Sequence, residues 1–159
     1  MKKIIGFIPH VIAVFAAAVF LDSLRYKFTN APETQEIFGR LDGWAGTLGA
    51  GGLFSQTGLF SQYTIGTAEL FASALLLIGI IPALRRLQAL GALIALAVMS
   101  GAVSFHLFTP LGINPNNDGG GLFMSAVIIW VTSLVMLVIR RKELTGLVGD
   151  IGAALVRKD

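Results

Sequence analysis

Polar and apolar residues are segregated along this chain into long blocks. Four apolar runs cover residues 4–21, 65–84, 87–108 and 122–139. Each run has roughly 18–22 residues, the length that lets a helix cross the hydrocarbon core of a bilayer, which is about 30 Å thick. With the polar residues that end them, the runs predict transmembrane helices at about 4–28, 65–84, 87–108 and 122–140, in one domain over residues 1–142.

The connections predict how these helices pack. Only the short segment 82–86 joins the second helix to the third, which makes the two helices antiparallel neighbours. Residues 143–159 carry apolar side chains at helical spacing, which is typical of an amphipathic helix on the membrane surface. We therefore predict an all-α integral membrane protein, an antiparallel four-transmembrane-helix bundle with a C-terminal amphipathic interfacial helix. Arg157 and Lys158 in that helix suit anionic headgroups.

The composition supports a membrane protein and excludes several kinds of chemistry. Apolar residues make up 55% and charged residues 13% of the chain, against about 45–50% and about 25% in soluble domains. The absence of cysteine excludes disulfides and thiol redox relays. With only two histidines, we expect no metal, haem or iron–sulfur cluster. No basic face with interleaved aromatic residues is present, so we expect no nucleic-acid partner.

The basic residues are distributed unequally between the two sides of the predicted bundle. Nine of them flank the N-terminus, the 82–86 turn and the C-terminal tail: Lys2, Lys3, Arg85, Arg86, Arg140, Arg141, Lys142, Arg157 and Lys158. The other three, Arg25, Lys27 and Arg40, fall on the opposite side. The positive-inside rule then predicts a multi-pass membrane protein with both termini in the cytoplasm.

The N-terminus also resembles a secretory signal, because Lys2 and Lys3 precede an apolar run that contains three consecutive alanines. The apolar run continues beyond those alanines through Leu21. We therefore expect an uncleaved first transmembrane helix.

The sequence of the first outer loop, residues 29–64, predicts two kinds of local structure. Asn30 followed by Pro32 is typical of a helix start, and we predict a short helix over 32–41 that Asn30 caps. A tandem repeat follows, in which GLFSQ occurs at 52–56 and again at 58–62. Four of its side chains are large and apolar, so we expect the loop to pack on the mouth of the bundle or to lie at headgroup level. In the second outer loop, Asp118 is a candidate cap for the last transmembrane helix.

Two ionisable residues lie inside apolar runs and give the strongest indication of a functional site. Glu69 falls about one turn below the outer end of the second predicted helix, and His106 falls in the last turn of the third. Such residues in a membrane are costly and usually have a partner or a function. The helix directions place both at the depth of Asp22, Arg25, Tyr26 and Lys27, which end the first helix. We therefore expect Glu69, His106 and at least one of Arg25 or Lys27 to form one hydrogen-bonded cluster.

Each of these residues also has a structural interpretation. Glu69 can form an ion pair with Arg25 or Lys27 that only holds two helices together. His106 can be a satisfied core group, and the basic residues can extend towards the interface as ordinary flanking side chains. Asp22 can pair with Arg25 three residues further on.

Three motifs at helix ends resemble the DoxX-like membrane proteins. They are Arg25-Tyr26-Lys27-Phe28 ending the first helix, Gly66-x-x-Glu69 opening the second, and the segment 100–106 ending the third in His106. The stretches YKFTNAPETQE, HLFTPLGI and NDGGGLF resemble a bacterial subgroup of that family. The resemblance covers the whole chain and implies that Lys27, Glu69 and His106 match the polar positions of the family. Many members have glycine three residues before the helix 1 lysine, where this chain has Leu24.

The family takes its name from a subunit associated with a quinone-linked oxidoreductase, and distant four-helix relatives include a chaperone of ligand-gated channels. We therefore expect a non-catalytic accessory or assembly factor with an outer polar cavity. The alternative is a quinone-binding subunit of an oxidoreductase complex, and a small transporter is a third hypothesis. Membrane lipid and a protein partner or second copy are the expected partners, and quinone or lipid the candidate ligands. The predicted ligand- or partner-binding residues are Asp22, Arg25, Tyr26, Lys27, Glu69 and His106.

Overall fold

The computed structural model describes the backbone of residues 2–156, and the side chains of that range apart from residues 2–5, 151, 155 and 156. Every regular element in this range is a helix. The α-helices are α1 (Lys2–Phe28), α2 (Pro32–Thr47), α3 (Gln62–Ile78), α4 (Arg85–Phe108), α5 (Gly121–Ile139) and α6 (Arg141–Val156), and one 3₁₀ turn, Pro82–Leu84, precedes α4. The predicted all-α class is confirmed.

Three of these helical segments are long and apolar enough to cross a membrane. They are Gly6–Phe28, Pro82–Phe108 and Gly121–Ile139. The fourth apolar helix, α3, has 17 residues, because Gly79 ends it and Pro82 then starts the 3₁₀ turn. Proline has no N–H group to continue a helical hydrogen-bond ladder, so the second apolar run is split where a single helix over 65–84 was predicted.

The four apolar helices contact one another in the cyclic order α1, α3, α4, α5. Their shared core consists of Ile12, Ala13, Ala16, Phe20, Ala72, Leu76, Ala92, Ala95, Met99, Ala126, Ile129 and Met136. Six of these twelve residues are alanine, and small side chains at helix interfaces let the backbones approach closely. The expected contact between the helices on either side of the 82–86 turn is present between α3 and α4.

Two glycines set the closest approach of α3 and α4. A Cβ atom added at Gly91 would lie 2.8 Å from Leu76 N and 3.0 Å from Ala72 O. One added at Gly79 would lie 2.3 Å from Gln88 N. Both distances are shorter than ordinary van der Waals contact, so the two helices can pack this closely only with glycine at these positions.

The helix after the first loop is longer than predicted, and its start is built differently. α2 continues beyond Leu41 to Thr47, because Ala45, one turn after Leu41, is also buried. Asn30 does not cap it. The N-cap residue is Ala31, which makes no side-chain hydrogen bond, and Asn30 has φ 59°. The predicted proline in the first turn of the helix is confirmed.

The large apolar side chains of the repeat differ between its two copies. Phe54 is buried and meets the ring of Phe105 on α4 edge-on, with ring centroids 5.1 Å apart. In the second copy, Leu59 is 69% exposed and Phe60 is 40% exposed. The expectation that all four large apolar side chains of the repeat would be packed down is therefore wrong for Leu59 and Phe60.

Asp118 supplies hydrogen bonds to the start of α5 as predicted, although the N-cap residue is Gly120. Asp118 accepts hydrogen bonds from the backbone N–H groups of Gly120 (3.0 Å) and Leu122 (2.7 Å) at the start of α5. The C-terminal helix α6 contacts α4 and α5, and Arg86 forms an ion pair with its Asp150. Arg157 and Lys158, predicted to face lipid headgroups, lie outside the described residues.

The contrast between two glycines of α4 gives a test of the packing. Gly91→Ala should destabilise the protein by about 1–3 kcal/mol, because its Cβ would overlap the backbone of α3. Gly101→Ala is the matched control, since its Cβ would lie 3.7 Å from the Phe105 ring, at ordinary contact distance. That change should be neutral or stabilise by up to about 1 kcal/mol. Unfolding in detergent micelles measures both, and equal effects would contradict the close approach.

Candidate functional site

The centre of the site is an ion pair between the last turn of α1 and the second turn of α3. Lys27 Nζ lies 3.1 Å from Glu69 Oε1 and 2.9 Å from Oε2. The Glu69 residue is only 3% exposed. Lys27 also donates to the hydroxyl of Ser23, one turn earlier on α1. The predicted pairing of Glu69 with a basic residue of the first helix is confirmed, with Lys27 as the partner.

Local sequence brings the two charged groups together. Gly66 lies one turn before Glu69 on α3, and a Cβ atom there would lie 3.4 Å from Lys27 Cδ. The small residue therefore leaves space for the aliphatic part of Lys27 to cross α3 and reach the carboxylate. Ser73, one turn after Glu69, donates its hydroxyl to the Glu69 carbonyl at 2.8 Å and so adds no second donor to the carboxylate.

The two carboxylate oxygens of Glu69 differ in how well they are satisfied. Oε1 accepts a hydrogen bond from Lys27, whereas Oε2, although closer to Nζ, is buried without hydrogen-bond geometry. The ionic contact outweighs the missing hydrogen bond, because a distance of 2.9 Å is short enough for strong Coulomb attraction. Removing either partner would leave a buried charge unpaired.

The other residues predicted at the end of α1 form a separate group on the surface. Arg25 lies 3.0 Å from Asp22, its guanidinium donates to the hydroxyl of Tyr26 at 3.0 Å, and it stacks over the Tyr26 ring. The predicted pairing of Asp22 with Arg25 is confirmed. The side chains of both residues are more than 60% exposed, so this pair contributes little to stability.

His106 does not join Glu69, and that part of the predicted cluster is wrong. Its Nδ1 lies 2.6 Å from the carbonyl oxygen of Gly112 in the second outer loop, and its ring meets Phe123 edge-on. No hydrogen bond or ion pair among the described side chains joins His106 to Glu69 or Lys27. The prediction placed His106 by its position along α4, but it did not give the direction of the side chain around the helix.

Sequence reasoning missed an amide network beside the ion pair, in which Gln62 is the buried member. Gln62, the first residue of α3, is 1% exposed and donates to the carbonyl of Lys27 at 2.7 Å and to Asn30 Oδ1 at 3.1 Å. Its own Oε1 accepts from Gln35 Nε2 at 2.6 Å. Gln35 and Gln56 donate to the same Asn30 oxygen, at 2.6 and 2.9 Å.

The tandem repeat explains how two of these glutamines reach one acceptor. In each copy the serine N–H bonds to the carbonyl of the glycine three residues earlier, Ser55 to Gly52 and Ser61 to Gly58. The same hydrogen bond is thus made in both copies, and the glutamine that follows each serine donates to Asn30. The sequence pattern that could have predicted this network is a pair of glutamines at equivalent positions of the repeat, together with one asparagine.

A second polar cluster lies at the opposite end of the helices. Gln88, which is fully buried, accepts from Arg140 Nε at 2.9 Å and lies 3.4 Å from the carbonyl of Pro9. Burial lowers the pKa of the Arg140 guanidinium, and the carboxylate of Glu143 opposes that effect. His10 also lies here, with a buried Nδ1 that has no hydrogen-bond partner among the described residues.

Neither cluster has the donors of a metal site. Across the described residues, no three His, Cys, Asp or Glu side chains are grouped to hold an ion. Comparison of the chain with protein-family models, curated proteins and solved structures finds no significant match. What the site does must therefore be argued from its own geometry.

The ion pair predicts an ordered series of variants. Glu69→Leu should destabilise by about 3–5 kcal/mol, because it leaves the Lys27 charge buried and unpaired. Glu69→Gln should cost less, because the amide oxygen still accepts from Lys27. The double variant Lys27→Met with Glu69→Leu should recover most of the loss. Unfolding in micelles measures the series; a double variant as unstable as the sum of the single ones would contradict it, and Asp22→Asn is the exposed control.

The two glutamines of the repeat give a matched pair. Gln62→Ala should destabilise by about 1–3 kcal/mol, because it leaves the Lys27 carbonyl without its donor in a buried site. Gln56→Ala should cost clearly less, since Gln56 is exposed and makes one of the three bonds to Asn30. Thermal unfolding of both variants checks the ranking, which the reverse order would refute.

Proposed function

We propose that the chain is a DoxX-like inner-membrane protein of bacterial type that acts as a non-catalytic accessory or assembly factor. In this proposal α1, α3, α4 and α5 are four antiparallel transmembrane helices, and both termini lie in the cytoplasm. The 17 residues of α3 extend about 26 Å at 1.5 Å per residue, and residues 79–81 lengthen the segment towards the span of its neighbours. The ring of contacts among the four helices supports this arrangement.

Polar groups that are already paired within the protein support a non-catalytic role. Lys27 and Glu69 pair with each other, His106 is bound to Gly112, and the described glutamines of the network bond to Asn30. Groups committed in this way fix the fold, whereas catalysis needs a group that is free to exchange protons or attack a substrate.

One observation carries the accessory role: apolar side chains are exposed at the same end of the molecule at which the polar groups are enclosed. Leu59 in the repeat is 69% exposed, Leu48 at the end of α2 is 66% exposed, and Ile113 in the second outer loop is 53% exposed. Exposed apolar side chains in loops favour contact with a partner. We propose a membrane protein, or a second copy of this chain, as that partner.

The quinone-binding alternative depends on a carboxylate and a histidine that face one ligand. Since His106 is engaged by the Gly112 carbonyl and by Phe123, no contact of the described residues favours it over the accessory role. It stays an alternative hypothesis without an observation of its own.

Photo-crosslinking tests the accessory role. A photoreactive residue at Leu59 should give a discrete protein adduct in cells, and the partner should co-purify in mild detergent. Val138 is the matched control, because it is 67% exposed at the far end of α5 and is expected to face lipid. An adduct of twice the mass of the chain would identify a second copy. Equal crosslinking at both positions, or a chain that always purifies alone, would refute the proposal.

Cysteine labelling tests the topology. Asn116→Cys in the second outer loop should react with an impermeant maleimide from outside intact spheroplasts, and Thr145→Cys on α6 should react only after lysis. Labelling of Asn116→Cys from the cytoplasmic side would overturn the proposed orientation.

A further inference from the structure

A small cavity lies between α2 and the repeat-containing loop, beyond the ion pair. Its volume is about 130 Å³, the share of about four waters in the liquid. The residues that line it are Gln35, Phe38, Gly39, Asp42, Phe54, Ser55, Gln56 and Gln62. None of the residues predicted from the sequence as a binding site is among them.

The amide network fixes which way the lining glutamines point. The carbonyl of Lys27 can only accept, so the Gln62 nitrogen must face it. That choice makes Gln62 Oε1 the acceptor of Gln35 Nε2 and Asn30 Oδ1 the acceptor of Gln62 Nε2. Asn30 Oδ1 in turn requires the nitrogen of Gln56. One backbone carbonyl therefore sets the orientation of every glutamine around the cavity.

Among the described side chains that line the cavity, the only amide donor left without a partner is one N–H of Gln56, whereas two amide acceptors are left. The side-chain nitrogens of Gln35, Gln56 and Gln62 all donate within the network, and the hydroxyl of Ser55 donates to the Gly52 carbonyl at 2.8 Å. In contrast, no donor among the described residues reaches the side-chain oxygens of Gln35 and Gln56. The free hydrogen-bonding capacity of the side chains that line the cavity is thus mainly that of acceptors.

The charge of the cavity also favours a ligand that is positively charged and donates hydrogen bonds. Asp42 contributes a carboxylate, one oxygen of which accepts from the Phe54 N–H at 3.0 Å. No basic side chain is among the lining residues, and Arg40, two residues before Asp42, is bound to Glu36 at 2.6 Å. The aromatic rings of Phe38 and Phe54 supply the apolar walls, and their faces also attract cations.

We propose that this cavity binds a primary ammonium group, with Asp42 as the counter-ion and the Gln35 and Gln56 oxygens as the further acceptors. A group with three N–H donors and one positive charge matches these acceptors. Calcium fits less well, because it takes six to eight oxygen ligands and the cavity offers one carboxylate. The ammonium can belong to a soluble amine or to the ethanolamine headgroup of a lipid. This site goes beyond the accessory role and does not depend on it.

Calorimetric titration of the full-length protein in phosphatidylglycerol nanodiscs tests the chemistry. Methylammonium and ethanolamine should bind saturably. Tetramethylammonium has the same charge but no N–H donor, and it should bind at least about tenfold more weakly. Nanodiscs that also contain phosphatidylethanolamine distinguish the two sources, since a lipid ligand would weaken the apparent affinity for methylammonium, whereas a soluble ligand would leave it unchanged.

Two variants locate the site. Asp42→Asn keeps an oxygen for the Phe54 N–H but removes the charge, and it should weaken methylammonium binding about tenfold or more. Glu33→Gln is the matched control, because it removes one exposed carboxylate from the same helix outside the cavity. Gly39→Leu adds a side chain where a Cβ meets no atom within 4 Å, and it should reduce binding without loss of helical circular dichroism.

Several results would overturn the proposal. They are no saturable binding of either amine, equal binding of tetramethylammonium, equal effects of Asp42→Asn and Glu33→Gln, or displacement of methylammonium by calcium at equal concentration. If Asp42→Asn does not fold, the Gly39→Leu variant and the comparison of the two ammonium ions on the unmodified protein still decide the question.

Discussion

The ion pair between Lys27 and Glu69 is the interaction around which the outer end of this protein is organised. A carboxylate in an apolar helix cannot be left alone, because an unpaired charge in a medium of low dielectric constant costs several kcal/mol. The pair therefore fixes the height and the rotation of α1 against α3. Gly66 leaves space for the Lys27 side chain to cross α3, and the Ser23 hydroxyl oxygen accepts a further hydrogen bond from the ammonium group.

The amide network extends this constraint from the helices to the loops. Gln62 donates to the carbonyl of Lys27 at the C-terminal end of α1. Asn30 Oδ1 accepts hydrogen bonds from side chains of α2, the repeat and α3. Because Gln62 is buried, its amide is favourable only while its hydrogen bonds are made, and those bonds fix the start of α3 against α1 and α2. Three glutamines of the same network line the cavity together with Asp42, which links the fold to the proposed ammonium site.

Much of this fold could be predicted from the sequence, and the failures have physical causes. Apolar runs predicted the helices, and helix direction predicted that Glu69 and the last turn of α1 lie at the same end of the molecule, which was enough to predict a basic partner on α1. Depth does not give the direction of a side chain around its helix, so His106 was wrongly joined to Glu69 although it bonds to Gly112. The last turns of α2 were not predicted, because this segment is rich in glycine, which has a low helix propensity. Gln62 carries no charge and follows a loop, and its burial becomes evident only when the Lys27 carbonyl is placed above it.

Solid-state NMR on the labelled protein in lipid bilayers is the most direct test of the central claim. The experiment measures the dipolar coupling between Lys27 Nζ and Glu69 Cδ. The account predicts a coupling that corresponds to roughly 3–4 Å, as expected for a direct charge-assisted contact. A separation beyond about 6 Å, at which the carboxylate would have no cationic partner, would contradict it.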